Sequence, residues 1–393
     1  MSIILKKTVC LEKNYFLFFV YIMKSSYLKS QIITYMGNKR KLLPQINDII
    51  DMVKKDLDSE TFETADAFSG SGIVSRLLKT RSTKLYVNDI AGYSETLNSC
   101  YLDTPDEEKK ANIQKYIDEA NSFAHGTDDL SVPRWIQRHW APAKQIKKEN
   151  RVYYTHQNGK LIDRYRFFIL SIPEEYRAYL LSMLLVKSSI HNNTNGQFSA
   201  FYKDENGIGK YGGKKEIDVK RITSPIKLDM PLFSPNQCDV VVSKEDSNNW
   251  IKKIPPVDLM YLDPPYNKHP YSIYYFMLDI INDWRTDIDI PNSNRGQPKN
   301  WVKSLYNSLN KAEDAFKHLI KNIKSKFILL SYNNKGIIPI KNIEKILKSR
   351  GKLYKFPLVH KTYNKLKGIA SYKREVEWSE VKEFMWLVDT RKN

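Results

Sequence analysis

The chain alternates short, unbroken apolar runs with stretches in which apolar residues recur at helical spacing, the pattern of a parallel sheet covered by helices. Leu259, Met260, Tyr261 and Leu262 read as a central strand, with further strands at Cys238 to Val242, Phe327 to Asn334 and Phe384 to Val388. The last of these is expected to close the sheet. Leu42, Leu43, Ile46, Ile49, Ile50 and Val53 follow helical spacing, so the basic turn Tyr35-Met-Gly-Asn-Lys-Arg-Lys41 precedes a helix amino terminus, a ready site for an anion. Thr64 to Gly72 followed by Ile73, Val74, Leu77 and Leu78 reads as strand, tight glycine turn and helix. A second strand, Lys84 to Ile90, carries Asp89 at its end, 19 positions beyond Gly70, the offset of a ribose-binding carboxylate in a Rossmann-like α/β unit.

Between residues 101 and 237 the character changes to charged, aromatic and turn-rich, which predicts a domain inserted into a body formed by residues 31–100 and 238–393. The insertion is expected to present a basic face of Arg134, Arg138, Arg151, Arg164, Arg166, Lys203, Lys210, Lys214, Lys215, Lys220 and Arg221, interleaved with Tyr153, Tyr154, Phe198, Phe201 and Tyr202. Residues 1–30 form an amino-terminal extension. Its apolar stretch Tyr15 to Met23 has only nine residues, too few to span a bilayer, and no small-residue cleavage site follows. Met23 reads as the true start, with a surface helix as the alternative.

The 393 residues carry a formal charge of +19, which implies a polyanionic partner, nucleic acid first; a Lys-rich composition inherited from an AT-rich genome is the bland alternative. Three widely spaced cysteines outline neither a disulfide framework nor a zinc site and fit a reducing cytoplasm, and the seven histidines show no metal-ligand clustering. No metal is expected.

The candidate chemistry lies at Asp263-Pro264-Pro265-Tyr266, where an apolar strand stops in a rigid loop. A carboxylate, free carbonyls and an aromatic face meet at a strand end, where open α/β sheets bind ligands. Asp263 and the Pro264 carbonyl can accept the two hydrogens of an exocyclic amine, and Tyr266 can stack on its ring, which suggests methyl transfer to an amino nitrogen. A proline strand stop with a capping Asp is the structural alternative.

The order of parts, namely Tyr35 to Lys39, Phe68-Ser-Gly-Ser-Gly72, Asn88-Asp89, a long basic insertion and Asp-Pro-Pro-Tyr, resembles the adenine-specific N6 DNA methyltransferases of the alpha class, the Dam-like D12 group. The resemblance covers residues 31–100 and 238–340 well and the insertion poorly. It implies a Rossmann-like sheet dependent on S-adenosyl-L-methionine, with an inserted target-recognition domain and double-stranded DNA as partner. By this likeness Tyr35 and Lys39 line the methionine end of the cofactor, with the Lys39 ammonium near its carboxylate. Asp66, Phe68, Gly70 and Gly72 form the cradle, Asp89 takes the ribose hydroxyls, Asp246 or its neighbour accepts from the adenine amine, and Asp263 borders both cofactor and substrate. Asp263, Pro264, Pro265 and Tyr266 are the catalytic set.

Asn38 departs from the pattern, standing where Dam-like sequences often have a second glycine. Modification alongside a separately acting restriction endonuclease is the expected setting, with no membrane involvement. An RNA base N-methyltransferase and a catalytically silent DNA-binding specificity subunit are the alternatives. Asn192, Asn195 and Gln197 are candidate adenine readers.

Overall fold

The computed structural model describes residues 26–59, 61–143, 145–213, 217–299, 303–358 and 382–392; the Tyr15 to Met23 stretch, Lys214 and Lys215 lie outside them. Among the described residues seven strands form one sheet: β1 (Glu63–Asp66), β2 (Lys84–Asp89), β3 (Asp239–Lys244), β4 (Val257–Leu262), β5 (Ser325–Asn333), β6 (Lys352–Leu358) and β7 (Glu383–Asp389). Their spatial order is β3-β2-β1-β4-β5-β7-β6. The first five run parallel, and β7 is antiparallel to both β5 and β6. The expected closing strand is therefore interior. The edge belongs to β6, whose Lys352 and Lys355 are exposed, a charged edge that discourages further pairing.

Every residue of β4 is buried, and its period-2 alternation feeds two cores. Met260 and Leu262 face a layer with α12 (Ala312–Asn322) and α13 (Ile340–Lys348), while Leu259 and Tyr261 face α2 (Leu43–Leu57) and α3 (Ile73–Lys79). In α2 the buried set Leu43, Ile46, Ile49, Ile50 and Val53 makes one stripe, with a proline in the first turn, and Asp58 ends the helix in the left-handed region at φ 46°. A short α1 (Ser26–Lys29) packs Tyr27 and Leu28 into the same core. Because β1 lies between β2 and β4, the strand order reverses at the β1/β4 junction, which opens a crevice beyond their carboxyl ends.

A third core joins α4 (Gly92–Tyr101) and α11 (Tyr271–Asp283) to the helices of residues 101–237, namely α5 (Glu107–His125), α6 (Trp135–Trp140), α7 (His156–Ser171) and α8 (Glu174–Ile190). Two further short helices are α9 (Ile217–Thr223) and α10 (Ser247–Trp250). Among the described residues no helix is long and apolar enough to cross a membrane.

Several residues expected on the basic face are interior instead. Arg164 is buried and donates to the Phe123 carbonyl, and Arg166 is buried and donates to the Asn282 carbonyl with its guanidinium over Trp284. Arg221 donates to the Ile190, Asn192 and Thr194 carbonyls, satisfying groups freed where α8 ends. Tyr153, Tyr154, Phe198 and Phe201 are core residues. Asn192 is buried too, donating to the Ser188 and Ser189 carbonyls and accepting from Thr194, so it cannot read a base; Asn195 is exposed and Gln197 half-buried.

Candidate active site

The crevice holds a cavity of about 700 Å³. Of the residues singled out in the sequence it brings together Tyr35, Lys39, Asp66, Phe68, Gly70, Asp89, Asp246, Asp263 and Pro265. Gly72, Pro264 and Tyr266 are not among the residues that line it. Asp263 follows β4 directly. The next part of the loop is pinned from two sides, because the Ile337 amide donates to the Tyr266 carbonyl (3.1 Å) and the Asn307 side chain donates to the Asn267 carbonyl (2.7 Å). The Tyr266 ring meets Tyr332 edge to face at 5.9 Å.

The basic turn forms the opposite wall and is clamped by α11. The Met36 amide donates to the Tyr275 hydroxyl (2.7 Å), and the Tyr271 hydroxyl donates to the Met36 carbonyl (3.1 Å). Both rings also stack on Tyr35, with centroids at 5.2 Å for Tyr271 and 4.8 Å for Tyr275. Gly37 has φ 74°, and a Cβ there would sit 2.7 Å from the Tyr266 hydroxyl, so backbone strain and close approach both demand glycine. Asn38 has no positive φ; its side chain accepts from the Arg40 amide (2.8 Å) and closes the turn. The departure from a second glycine thus has a local explanation in an Asx-type bond.

The glycine turn after β1 is tied to the end of β2. The Gly70 amide donates to Asp89 Oδ2 (2.8 Å) and the Ala91 amide to Asp89 Oδ1 (2.9 Å), while the Ser94 hydroxyl donates to the Gly70 carbonyl (2.6 Å). Asp66 accepts from the Ser75 hydroxyl (2.6 Å) and the Phe68 amide (3.3 Å), so it holds the turn as well as lining the cavity. Gly72 caps α3 in the left-handed region, and a Cβ there would meet the Asn98 side chain. Phe68 packs edge to face on Tyr306 at 5.2 Å. Asp246 caps α10 through the Asn248 amide (3.0 Å).

The electrostatic centre is an ion pair that the sequence reading did not foresee. Lys39 Nζ lies 3.2 Å from Asp263 Oδ1 and 3.9 Å from Glu383 Oε1, donates to the Gly37 carbonyl, and stands over the Tyr266 ring. The resemblance implied Lys39 beside the cofactor carboxylate; here its ammonium is engaged by two protein carboxylates. Asp263 Oδ1 is buried and takes no aligned hydrogen bond among the described residues, so the contact is one of charge to charge. Burial pushes the Asp263 carboxyl up to about 6, opposed by Lys39 and assisted by Glu383. Burial also lifts Asp66 to about 7 against its bonds from Ser75 and Phe68, and raises Asp89 against three backbone donors. Burial works against the Lys39 charge, yet Asp263, Tyr266 and Glu383 together hold its pKa above the ordinary lysine value.

Tyr271, Tyr275 and Glu383 contact the site residues Tyr35, Met36 and Lys39, and the sequence reading missed them. The first two stand four apart, a spacing that places both on one helix face. Glu383 had no such signal, since it opens the last strand, far in sequence from every motif.

Comparisons with known proteins agree with this geometry. The model of the D12 class N6 adenine-specific DNA methyltransferases matches residues 35–346, most of the chain. Type II methyltransferase M.NlaIII of Neisseria lactamica is 27% identical over 364 residues, covering 90% of this chain and 98% of its own. Type II methyltransferase M.FokI of Planomicrobium okeanokoites is 27% identical over 369 residues, with 90% of this chain but 52% of that protein covered. Modification methylase StsI of Streptococcus sanguinis is 29% identical over 328 residues, covering 80% of this chain and 46% of its own. With its family match running from the Tyr35 turn through the Asp263 loop, the chain belongs to the D12 class of N6 adenine-specific DNA methyltransferases.

Proposed function

We propose that this enzyme transfers a methyl group from S-adenosyl-L-methionine to N6 of an adenine turned out of duplex DNA, within a short recognition sequence. The observation that carries the reading is the meeting of the Asp263 loop, the glycine turn and Asp89 around one cavity. Its volume of about 700 Å³ is in the range of sites that enclose a nucleoside-sized ligand. The donor set suits the cofactor: Asp89 for a ribose diol, Asp246 for an adenine amine, and Tyr35 and Phe68 as aromatic walls. When bound, S-adenosyl-L-methionine supplies an electrophilic methyl group on a sulfonium.

Adenine N6 is a weak nucleophile because its lone pair is delocalised into the ring. Hydrogen bonds from the amino group to Asp263 and to the Pro264 carbonyl favour a more tetrahedral nitrogen with its lone pair free to attack. Catalysis then rests on positioning and fixed charge. Turning the base out of the duplex costs roughly a few kcal/mol, which stacking on Tyr266 offsets in part. Residues 101–237 are the proposed target-recognition domain, supplying phosphate contacts and base-edge readout from residues such as Asn195 and Gln197. The names of the relatives support a further reading, that the enzyme protects cytoplasmic DNA from a restriction endonuclease acting separately.

The test is to incubate the protein with methyl-labelled cofactor and duplex DNA, digest to nucleosides and separate them. Label in N6-methyldeoxyadenosine alone supports the proposal. Label in a cytosine product, or in RNA offered in competition but not in DNA, overturns it.

A further inference from the structure

Glu383 opens β7 and shares the Lys39 ammonium with Asp263. The distances are 3.2 Å to Asp263 Oδ1 and 3.9 Å to Glu383 Oε1, and the Lys39 side chain is only 3% exposed. The position of Glu383 follows from the sheet. Because β7 is antiparallel to β5, with Glu383 paired to Asn333, its first residue lies at the end of the sheet where the parallel strands finish and the cavity opens. The family match stops at residue 346, so this carboxylate comes from beyond the segment that carries the shared motifs.

One buried cation between two carboxylates can satisfy either. A substrate amino group that hydrogen-bonds to Asp263 Oδ1, the oxygen that Lys39 faces at 3.2 Å, competes with Lys39 for that atom. If Lys39 had no second anion, leaving Asp263 would strand a buried charge, and it would stay. We infer that Glu383 is a positioning residue for methyl transfer: it takes over the Lys39 ammonium when the substrate amine claims Asp263, and so releases the acceptor. This rests on the reading of Asp263 as the amine acceptor. Among the described residues, the charged and titratable groups facing Asp263 are Lys39 from the turn before α2, Glu383 from β7, Asp66 at the end of β1, Tyr261 on β4, Tyr266 in the loop and Tyr271 at the start of α11. Among them Lys39 is the cation, and Glu383 is the other carboxylate that pairs with it.

The experiment is a pH profile of kcat and kcat/KM on duplex DNA for the wild type, Glu383→Gln, Lys39→Met and the double variant. Glu383→Gln is expected to lower the plateau kcat roughly tenfold with little change in KM for DNA, because the lost interaction acts after binding. Its acidic limb should move down by roughly one pH unit, since a like charge beside Asp263 has gone. In the Lys39→Met background the same substitution should cost no further kcat, and Glu383→Asp should recover part of the loss. A Glu383→Gln enzyme with the wild-type plateau and limb overturns the inference, as does a loss equally large with and without Lys39. Should Glu383→Gln fail to fold, Glu383→Asp decides: an unchanged profile refutes the role, and a lowered plateau with a displaced limb supports it. A wild-type profile with no acidic limb would instead remove the reading of Asp263, leaving that failure distinct from this one.

Discussion

The Met36 amide donates to the Tyr275 hydroxyl at 2.7 Å, joining residues 239 positions apart and fixing the Tyr35 turn to the helix that follows the Asp263 loop. Removing that hydroxyl by Tyr275→Phe leaves a part-buried amide without its acceptor. A stability loss of about 1–3 kcal/mol is expected. Cofactor affinity should fall with it, because Tyr35 and Lys39 ride on the same turn. Denaturant unfolding and calorimetric titration with S-adenosyl-L-methionine check the two effects; unchanged affinity would separate the turn from the cofactor site.

Asp263 accepts from an amine most strongly when ionised. Its carboxyl is pushed up to about 6 by burial, against the opposing pull of Lys39. Activity is therefore expected to be complete well above that value and to fall as pH drops through about 6. Lys39→Met removes the cation that favours the charged form, so the acidic limb should shift to higher pH, toward neutrality. A limb that stayed in place would show that Asp263 does not set it.

The two glycines of the turn after β1 should behave differently. Gly70→Ala, at φ 52°, would place its Cβ 2.7 Å from the Tyr35 ring, on the cavity wall, and should weaken cofactor binding. Gly72→Ala, at φ 76°, meets Asn98 and should lower stability by about 1–3 kcal/mol with a smaller effect on affinity. Thermal unfolding and cofactor titration of both variants separate these outcomes.

A chain of formal charge +19 should bind DNA through phosphates in a strongly salt-dependent manner. Between 50 mM and 200 mM salt the affinity is expected to fall on the order of 10³-fold, measured by fluorescence anisotropy. A flat response would trace the charge to composition alone.

Much of this was legible because it rests on local rules. The β4 run, the strand-glycine-helix unit at Thr64 to Leu78 and Asp89 at a strand end each follow from periodicity and turn chemistry, and the cavity unites them. What stayed hidden depends on partners distant in sequence. Arg164, Arg166 and Arg221 looked like a nucleic-acid face, yet each is consumed by backbone carbonyls that only packing brings near. The edge strand β6 carries lysines and a proline, which mask a strand pattern. The engagement of Lys39 by Glu383 spans most of the chain and leaves no mark on spacing.

The measurement that bears most directly on the central claim is single-molecule sequencing of the genome of a host lacking adenine methylation, after expression of the full chain or of its Asp263→Ala variant. The expected result is N6-methyladenine confined to one short motif with the wild type, and a loss on the order of 10³-fold or more with the variant. An unmodified genome, despite folded protein that binds S-adenosyl-L-methionine, or full modification by the Asp263→Ala protein, would contradict the account.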